Sequence, residues 1–302
     1  MSPKSGNRFS DPIMRNQIMR MSPKSMSQTS IGDENRFSDQ MMRNQIMRNA
    51  PTRRMFLRLL AGAPLLAAGV RSEAREAVIP RLIKHARAHK NISERIEFIS
   101  RALLRTRYQA NTLIGGPRQK EQLVLRDDAF DCVTYCEAVL AGAYASDYSQ
   151  YPELLRRIRY AQGEVRWAER NHDFAQWSRR IVENKICRPV GMAPVATVEK
   201  TLHGDGLGQR RYAISAVTTP ALMANRKTLQ AGDVIGFVSR RSELDFFHTG
   251  FIAFNRRGTL MLRHASRSRG RVVDDDMASF VAATGVQYVT LLRAQEMASM
   301  QA

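Results

Sequence analysis

The sequence predicts an α+β domain in which N-terminal helices pack on a C-terminal antiparallel β-sheet. Apolar residues recur at helical spacing between residues 75 and about 105, and again from Cys132 onward. After Gly232 the chain breaks into short runs rich in β-branched and aromatic residues, separated by polar turns. Helical and strand patterns are segregated along the chain, as in an α+β arrangement.

Residues 1–51 precede that domain and hold an imperfect duplication. Met1-Ser2-Pro3-Lys4-Ser5 recurs as residues 21–25, and Asn7 to Arg20 recurs closely as Asn35 to Arg48. Two polar copies are too few to bury a stacked core, so a disordered leader is predicted, with a translation start nearer Arg53 as the alternative. Residues 52–74 resemble a twin-arginine export signal. Arg53-Arg54 supplies the charged region, Leu59 to Val70 the apolar run, and Ser72-Glu73-Ala74 a cleavage site. The apolar run is interrupted by Gly62, Pro64 and Gly69 and falls short of the roughly 20 residues that span a bilayer. The expectation is engagement of the twin-arginine export machinery, a periplasmic location, and no stable membrane span after processing.

Residues 75–302 then form one domain. They keep 35 of the 47 Lys and Arg and 23 of the 28 Asp and Glu, so the mature chain stays strongly basic. Such charge suits a polyanionic partner, and for an exported chain that is the cell envelope. No nucleic-acid-binding motif supports a nucleic-acid partner.

Ile79, Leu82, Ile83 and Ala86, then Ile92, Ile96, Ile99 and Leu103, predict a helical layer. His85 and His89 have a metal-ligand spacing there, but Lys84, Arg87 and Lys90 make a solvated basic face the better reading. Asp131 is placed to cap a helix beginning at Cys132, with Cys136, Val139, Leu140 and Ala143 on its apolar face. Asn171 to Trp177 lies between helices or opens one. Strands are predicted over 233–238, 246–254, 259–264 and 286–292. Asn255-Arg256-Arg257-Gly258 suits a three-residue hairpin with a bulge, which pairs Asn255 with Thr259. That register sets His248 opposite Ser266 and His264 opposite Gly250. Both imidazoles then share one face as diagonal neighbours about 7 Å apart.

A cysteine opening a helix, with two same-face strand histidines, is the pattern of a thiol hydrolase. Cys132 is the expected nucleophile, His248 the base and His264 the group that orients it. Pairing with histidine is expected to lower the thiol pKa, while the anionic Asp131 cap opposes this locally. The Cys132 N–H is a candidate oxyanion donor. The plainer readings are a small buried hydrophobe for Cys132, as for Cys136, and a satisfied core histidine for His248. A zinc set of Cys132, Cys136, His248 and His264 is a further alternative, weakened by the loose Cys-x-x-x-Cys spacing. A Cys132–Cys136 disulfide within one helix is geometrically poor. Cys187 stands apart, and three cysteines leave at least one free thiol. No metal or cofactor is called for.

Five motifs in order resemble the N-acetylmuramoyl-L-alanine amidase-like family, a branch of the NlpC-type papain-like cell-wall peptidases. They are Phe130-Asp131-Cys132-Val133-Thr134-Tyr135, Arg170-Asn171-His172-Asp173-Phe174 with Trp177, Gly232-Asp233-Val234-Ile235-Gly236, His248-Thr249-Gly250-Phe251, and His264-Ala265-Ser266. The similarity runs from about Leu123 to Arg293. It implies a papain-like fold and a peptidoglycan or muropeptide substrate, cut at the N-acetylmuramoyl-L-alanine amide or within the stem peptide. By position in these motifs, Asp131, Thr134, Tyr135, Asn171 and Trp177 are candidates for lining the substrate cleft. Asp173 before Phe174 and the basic 188–230 stretch depart from the family pattern.

The leading expectation is thus an exported cysteine amidase acting on peptidoglycan through Cys132, His248 and His264. A stem-peptide endopeptidase, a non-catalytic envelope-binding module and a thiol acyltransferase are the alternatives.

Overall fold

Residues 77–204 and 206–296 are described by the computed structural model. The duplication, the twin-arginine motif, the apolar run and the cleavage site lie outside them.

Two short helices come first, α1 (Val78–Ala86) and α2 (Ile92–Ala102), and both bury the predicted apolar stripe. Asn91 starts α2 by accepting the Glu94 amide at 2.9 Å. Four short strands follow: β1 (Arg107–Tyr108), β2 (Ile114–Gly116), β3 (Gln119–Gln122) and β4 (Ala129–Phe130). Three helices come next, α3 (Cys132–Tyr144), α4 (Tyr151–Arg159) and α5 (Phe174–Glu183). The remainder is β5 (Cys187–Pro189), β6 (Val195–Leu202), β7 (Arg210–Thr218), α6 (Thr219–Ala224), β8 (Val234–Val238), β9 (Phe246–Phe254), β10 (Leu260–Ser266), β11 (Arg271–Asp276), α7 (Met277–Thr284) and β12 (Tyr288–Ala294).

The class is α+β, with a mostly antiparallel sheet in the order β4-β1-β11-β10-β9-β8-β12-β7-β6, and β5 paired to β12. The β1–β4 pair is parallel. Helices and strands are less segregated than the sequence pattern predicts: β1 to β4 precede α3, and α6 and α7 fall among the later strands. The early strands have two to four residues, too short to show a period of two. The basic 188–230 stretch supplies the β6–β7 hairpin, paired from Val195↔Val217 to Leu202↔Arg210.

The central strands are covered on both faces. Val234, Val238, Phe251 and Ala265 join a core with α1 to α5, while Ile235, Phe237, Ile252 and Leu262 join a second core with Met277 of α7. Double burial explains why β8 reads as an unbroken apolar run. Gly236 and Gly250 mark close approaches: a Cβ on Gly250 would stand 2.6 Å from the Arg263 carbonyl oxygen and 2.9 Å from His264 Cβ.

Candidate active site

Cys132 owes its place to the local sequence around it. Buried β4 leads into Asp131, whose Oδ1 accepts the Val133 and Thr134 amides at 3.1 and 2.8 Å, while Thr134 Oγ1 accepts the Asp131 amide at 3.0 Å. This reciprocal capping box fixes where α3 begins. The next two positions are pinned to the sheet and to α2: Cys136 Sγ lies 3.8 Å from Thr249 Oγ1, the Tyr135 ring meets Phe251 edge-on, and the Tyr135 hydroxyl donates to the Ser100 carbonyl at 2.9 Å. The Cys132 sulfur accordingly sits at the helix end, within hydrogen-bond reach of the Thr249 amide, one residue beyond His248.

The hairpin register is the expected one. Asn255 N donates to Thr259 O at 3.1 Å, Gly258 takes a left-handed φ of 73°, and pairing runs from Leu260↔Phe254 to Arg263↔Phe251. His248 and His264 therefore come together, with ring centroids 4.7 Å apart and His248 Nε2 at 2.5 Å from His264 Nδ1. The next member, Asp275 of β11, carries no motif that marks it in the sequence; its Oδ2 lies 3.0 Å from His264 Nε2. Arg263, buried beside His264, clamps this region by a two-pronged bond to Asp274 at 2.7 and 2.8 Å and a bond to Glu97 at 2.9 Å.

That chain dictates proton positions. A carboxylate only accepts, so His264 carries its proton on Nε2 and offers Nδ1 as acceptor. His248 then donates from Nε2, which leaves its Nδ1 lone pair as the basic atom. Phe280 of α7 covers both rings, with centroids 5.7 Å from each. Burial, and then proximity to His264, lowers His248 to about 3. Burial also lowers His264, opposed by its bond to Asp275.

The thiol differs from the sequence expectation. Burial first, and then the Asp131 charge, push Cys132 up to about 12. The resting pair is a neutral thiol and a neutral imidazole. Cys132 and His248 each keep some exposed surface as residues, but the sulfur and ring that titrate are enclosed. Among the described residues the two share no hydrogen bond.

A second missed neighbour is Tyr108. Burial first, and then Cys132, raise its hydroxyl, opposed by the neighbouring Arg267 guanidinium. Only the parallel pairing of β1 with β4, Tyr108↔Phe130, brings it beside Cys132.

Beside the helix end lies a polar cavity of about 390 Å³. Asp131, Thr134, Asn171 and Trp177 line it. Tyr135 does not: it is fully buried between α2 and β9, held there by its bond to the Ser100 carbonyl and its edge-on contact with Phe251. Four charged residues of the cavity wall are in ion pairs, Glu137 with Arg159 at 2.8 Å, Arg170 with Glu121 at 3.1 Å and Asp173 with Arg210 at 2.5 Å, while the Asp131 carboxylate is taken up by the helix amides. All three cysteines are free. Among the described residues no three His, Cys, Asp or Glu side chains converge as a metal-holding group.

The family model described as AmiA-like, N-acetylmuramoyl-L-alanine amidase-like, matches residues 98–286. The chain belongs to the N-acetylmuramoyl-L-alanine amidase-like family. The family match spans Tyr108, Cys132, the cavity wall, both histidines and Asp275. Two solved structures share the amidase-like fold. An N-acetylmuramoyl-L-alanine amidase from Bacteroides uniformis ATCC 8492 is 21% identical, with a TM-score of 0.60 over 68% of this chain and 99% of its own. A protein from Legionella pneumophila str. Philadelphia 1 is 19% identical, with a TM-score of 0.65 over 72% of this chain and 93% of its own. At these identities the likeness shows the fold. Among curated proteins, none matches the sequence.

Proposed function

We propose that this amidase-like chain is an exported, cysteine-dependent peptidoglycan hydrolase that cleaves the N-acetylmuramoyl-L-alanine amide. The observation that carries the reading is the hydrogen-bond chain His248–His264–Asp275, which leaves a basic Nδ1 on the residue next to the amide that the Cys132 sulfur approaches. Family membership supports the substrate class, the Arg53-Arg54 motif supports export to the periplasm by the twin-arginine machinery, and the papain-like NlpC-type architecture is the fold assignment that fits a helix-borne cysteine and strand-borne histidines.

In the mechanism, His248 Nδ1 takes the Cys132 proton as sulfur attacks the muramoyl carbonyl, so charge appears only as the bond forms. Nucleophile and base close on each other when substrate displaces water, since catalytic hydrogen bonds commonly tighten only in the substrate complex. The Cys132 N–H and the Tyr108 hydroxyl are the oxyanion donors. His248 then protonates the leaving L-alanine nitrogen, and water hydrolyses the thioester through the same base. The hydrogen-bonding cavity at Asp131, Thr134, Asn171 and Trp177 suits the hydroxyl- and amide-bearing sugar half.

Mass spectrometry of sacculi and defined muropeptides treated with wild type and Cys132→Ala tests this. Stem peptides beginning at L-alanine, formed by wild type alone, are the expected result. Shortened stems would mean the endopeptidase instead, and binding without any product would favour an envelope-binding module.

A further inference from the structure

Beside the thiol stands a cationic turn that the chemistry above leaves unused. Arg267-Ser268-Arg269-Gly270-Arg271 joins β10 to β11, and its three arginines are exposed. Backbone pairing fixes how near it comes. Tyr108 N donates to Gly270 O at 2.8 Å and Arg107 pairs with Arg271. On the other side, Gln109 N donates to Phe130 O at 2.9 Å. The turn therefore stands two strands from the segment that enters Cys132, about 10 Å at the usual strand spacing. A guanidinium on its long stem covers most of that gap. The Arg267 guanidinium neighbours the Tyr108 hydroxyl, and Tyr108 in turn neighbours Cys132.

The turn is held in shape by its own bonds, Gly270 N to Arg267 O at 3.2 Å and Arg269 N to Ser266 Oγ at 3.3 Å. Arg269 leans on Asp275 at 3.8 Å. Among the described residues no carboxylate pairs with Arg267, in contrast to the arginines of the cavity wall.

We propose that Arg267 anchors a carboxylate on the peptide half of the substrate, that of the residue following the alanine of the scissile amide. The assignment rests on the hydrolase reading above and adds its polarity: the sugar toward the polar cavity with its anionic Asp131, the anionic stem toward the cationic turn. Two extended residues span about 7 Å, which suits the distance from the sulfur to the turn. A planar guanidinium receives a carboxylate in two-pronged fashion, so both charge and shape select it.

The test uses the full chain and two muropeptides, N-acetylmuramoyl-L-alanyl-D-glutamic acid γ-methylamide and its α-amide, which differ only in the α-carboxylate. Wild type is expected to show a KM about tenfold lower for the acid, a ratio set by one charge-assisted hydrogen-bond pair. Arg267→Gln should raise the KM for the acid about tenfold, leave that for the amide unchanged and keep kcat within about twofold, with Arg267→Lys intermediate. Equal KM values for acid and amide in wild type overturn the anchor while sparing the hydrolase. So does an Arg267→Gln effect that is the same on both substrates, which would make Arg267 a support for Tyr108. Should the Gln variant fail to fold, the wild-type preference and the Lys variant still decide. Cleavage of neither substrate by wild type overturns the parent reading and this one together.

Discussion

The Asp275 carboxylate stands 3.0 Å from His264 Nε2, and through His264 it sets which nitrogen of His248 is basic, without touching either the thiol or the base. Asp275→Ala frees His264 to take the other tautomer and to accept from nothing, so His248 loses its orientation. A fall in kcat of about 10–100-fold with KM nearly unchanged is expected, a fraction of what a general base itself contributes. Asp275→Asn should retain more activity, because the amide oxygen still accepts from Nε2. Steady-state kinetics on a defined muropeptide separates the two, and equal activity in both variants and wild type would remove Asp275 from the chain.

Acid should weaken the fold through these histidines. Burial and then His264 hold His248 at about 3, and burial lowers His264 as well, whereas an unfolded histidine titrates near 6.5. Between those values the unfolded chain binds protons that the folded chain refuses. Their contribution is therefore fully present above pH 6.5 and is lost as pH falls toward 3. Thermal melts at pH 7.5, 5.5 and 4.5 should show this loss, and His248→Asn should make it shallower. An equally steep loss in the variant would argue against a buried neutral His248.

Gly250 is required by crowding and not by its backbone angle. A methyl there would meet the Arg263 carbonyl and His264 Cβ at less than 3 Å, on a doubly buried strand. Gly250→Ala is expected to cost about 1–3 kcal/mol, the usual penalty of overpacking. It should also lower kcat, because His264 moves with it. Denaturant melts alongside turnover check both, and a fully stable, fully active variant would contradict the packing.

The Glu137–Arg159 pair is enclosed, with side chains 3–4% exposed, and holds α3 against α4 beneath the cavity. Removing one partner strands a buried charge, so Glu137→Leu should cost about 3–5 kcal/mol. Glu137→Leu with Arg159→Met should cost less than the single change. Urea unfolding of the two variants decides, and a double variant worse than the single would mean that the pair is net stabilising.

Features that depend on neighbours along the chain were legible before any fold was known. Asp131 and Thr134 form a capping box within one turn, so the start of the Cys132 helix was legible. Asn255 and Gly258 fix a turn, and a fixed turn fixes the register that unites His248 with His264. Tertiary structure decided the rest. Asp275 and Tyr108 sit in short strands with no pattern of their own, and only sheet order β4-β1-β11-β10 brings them to the thiol and the histidines. Tyr135, expected at the cleft, turned into the core because the ring's partners, Ser100 and Phe251, are far away in sequence. The protonation of Cys132 likewise followed enclosure, which no spacing records: desolvation outweighs what the helix end and neighbouring amides offer a thiolate.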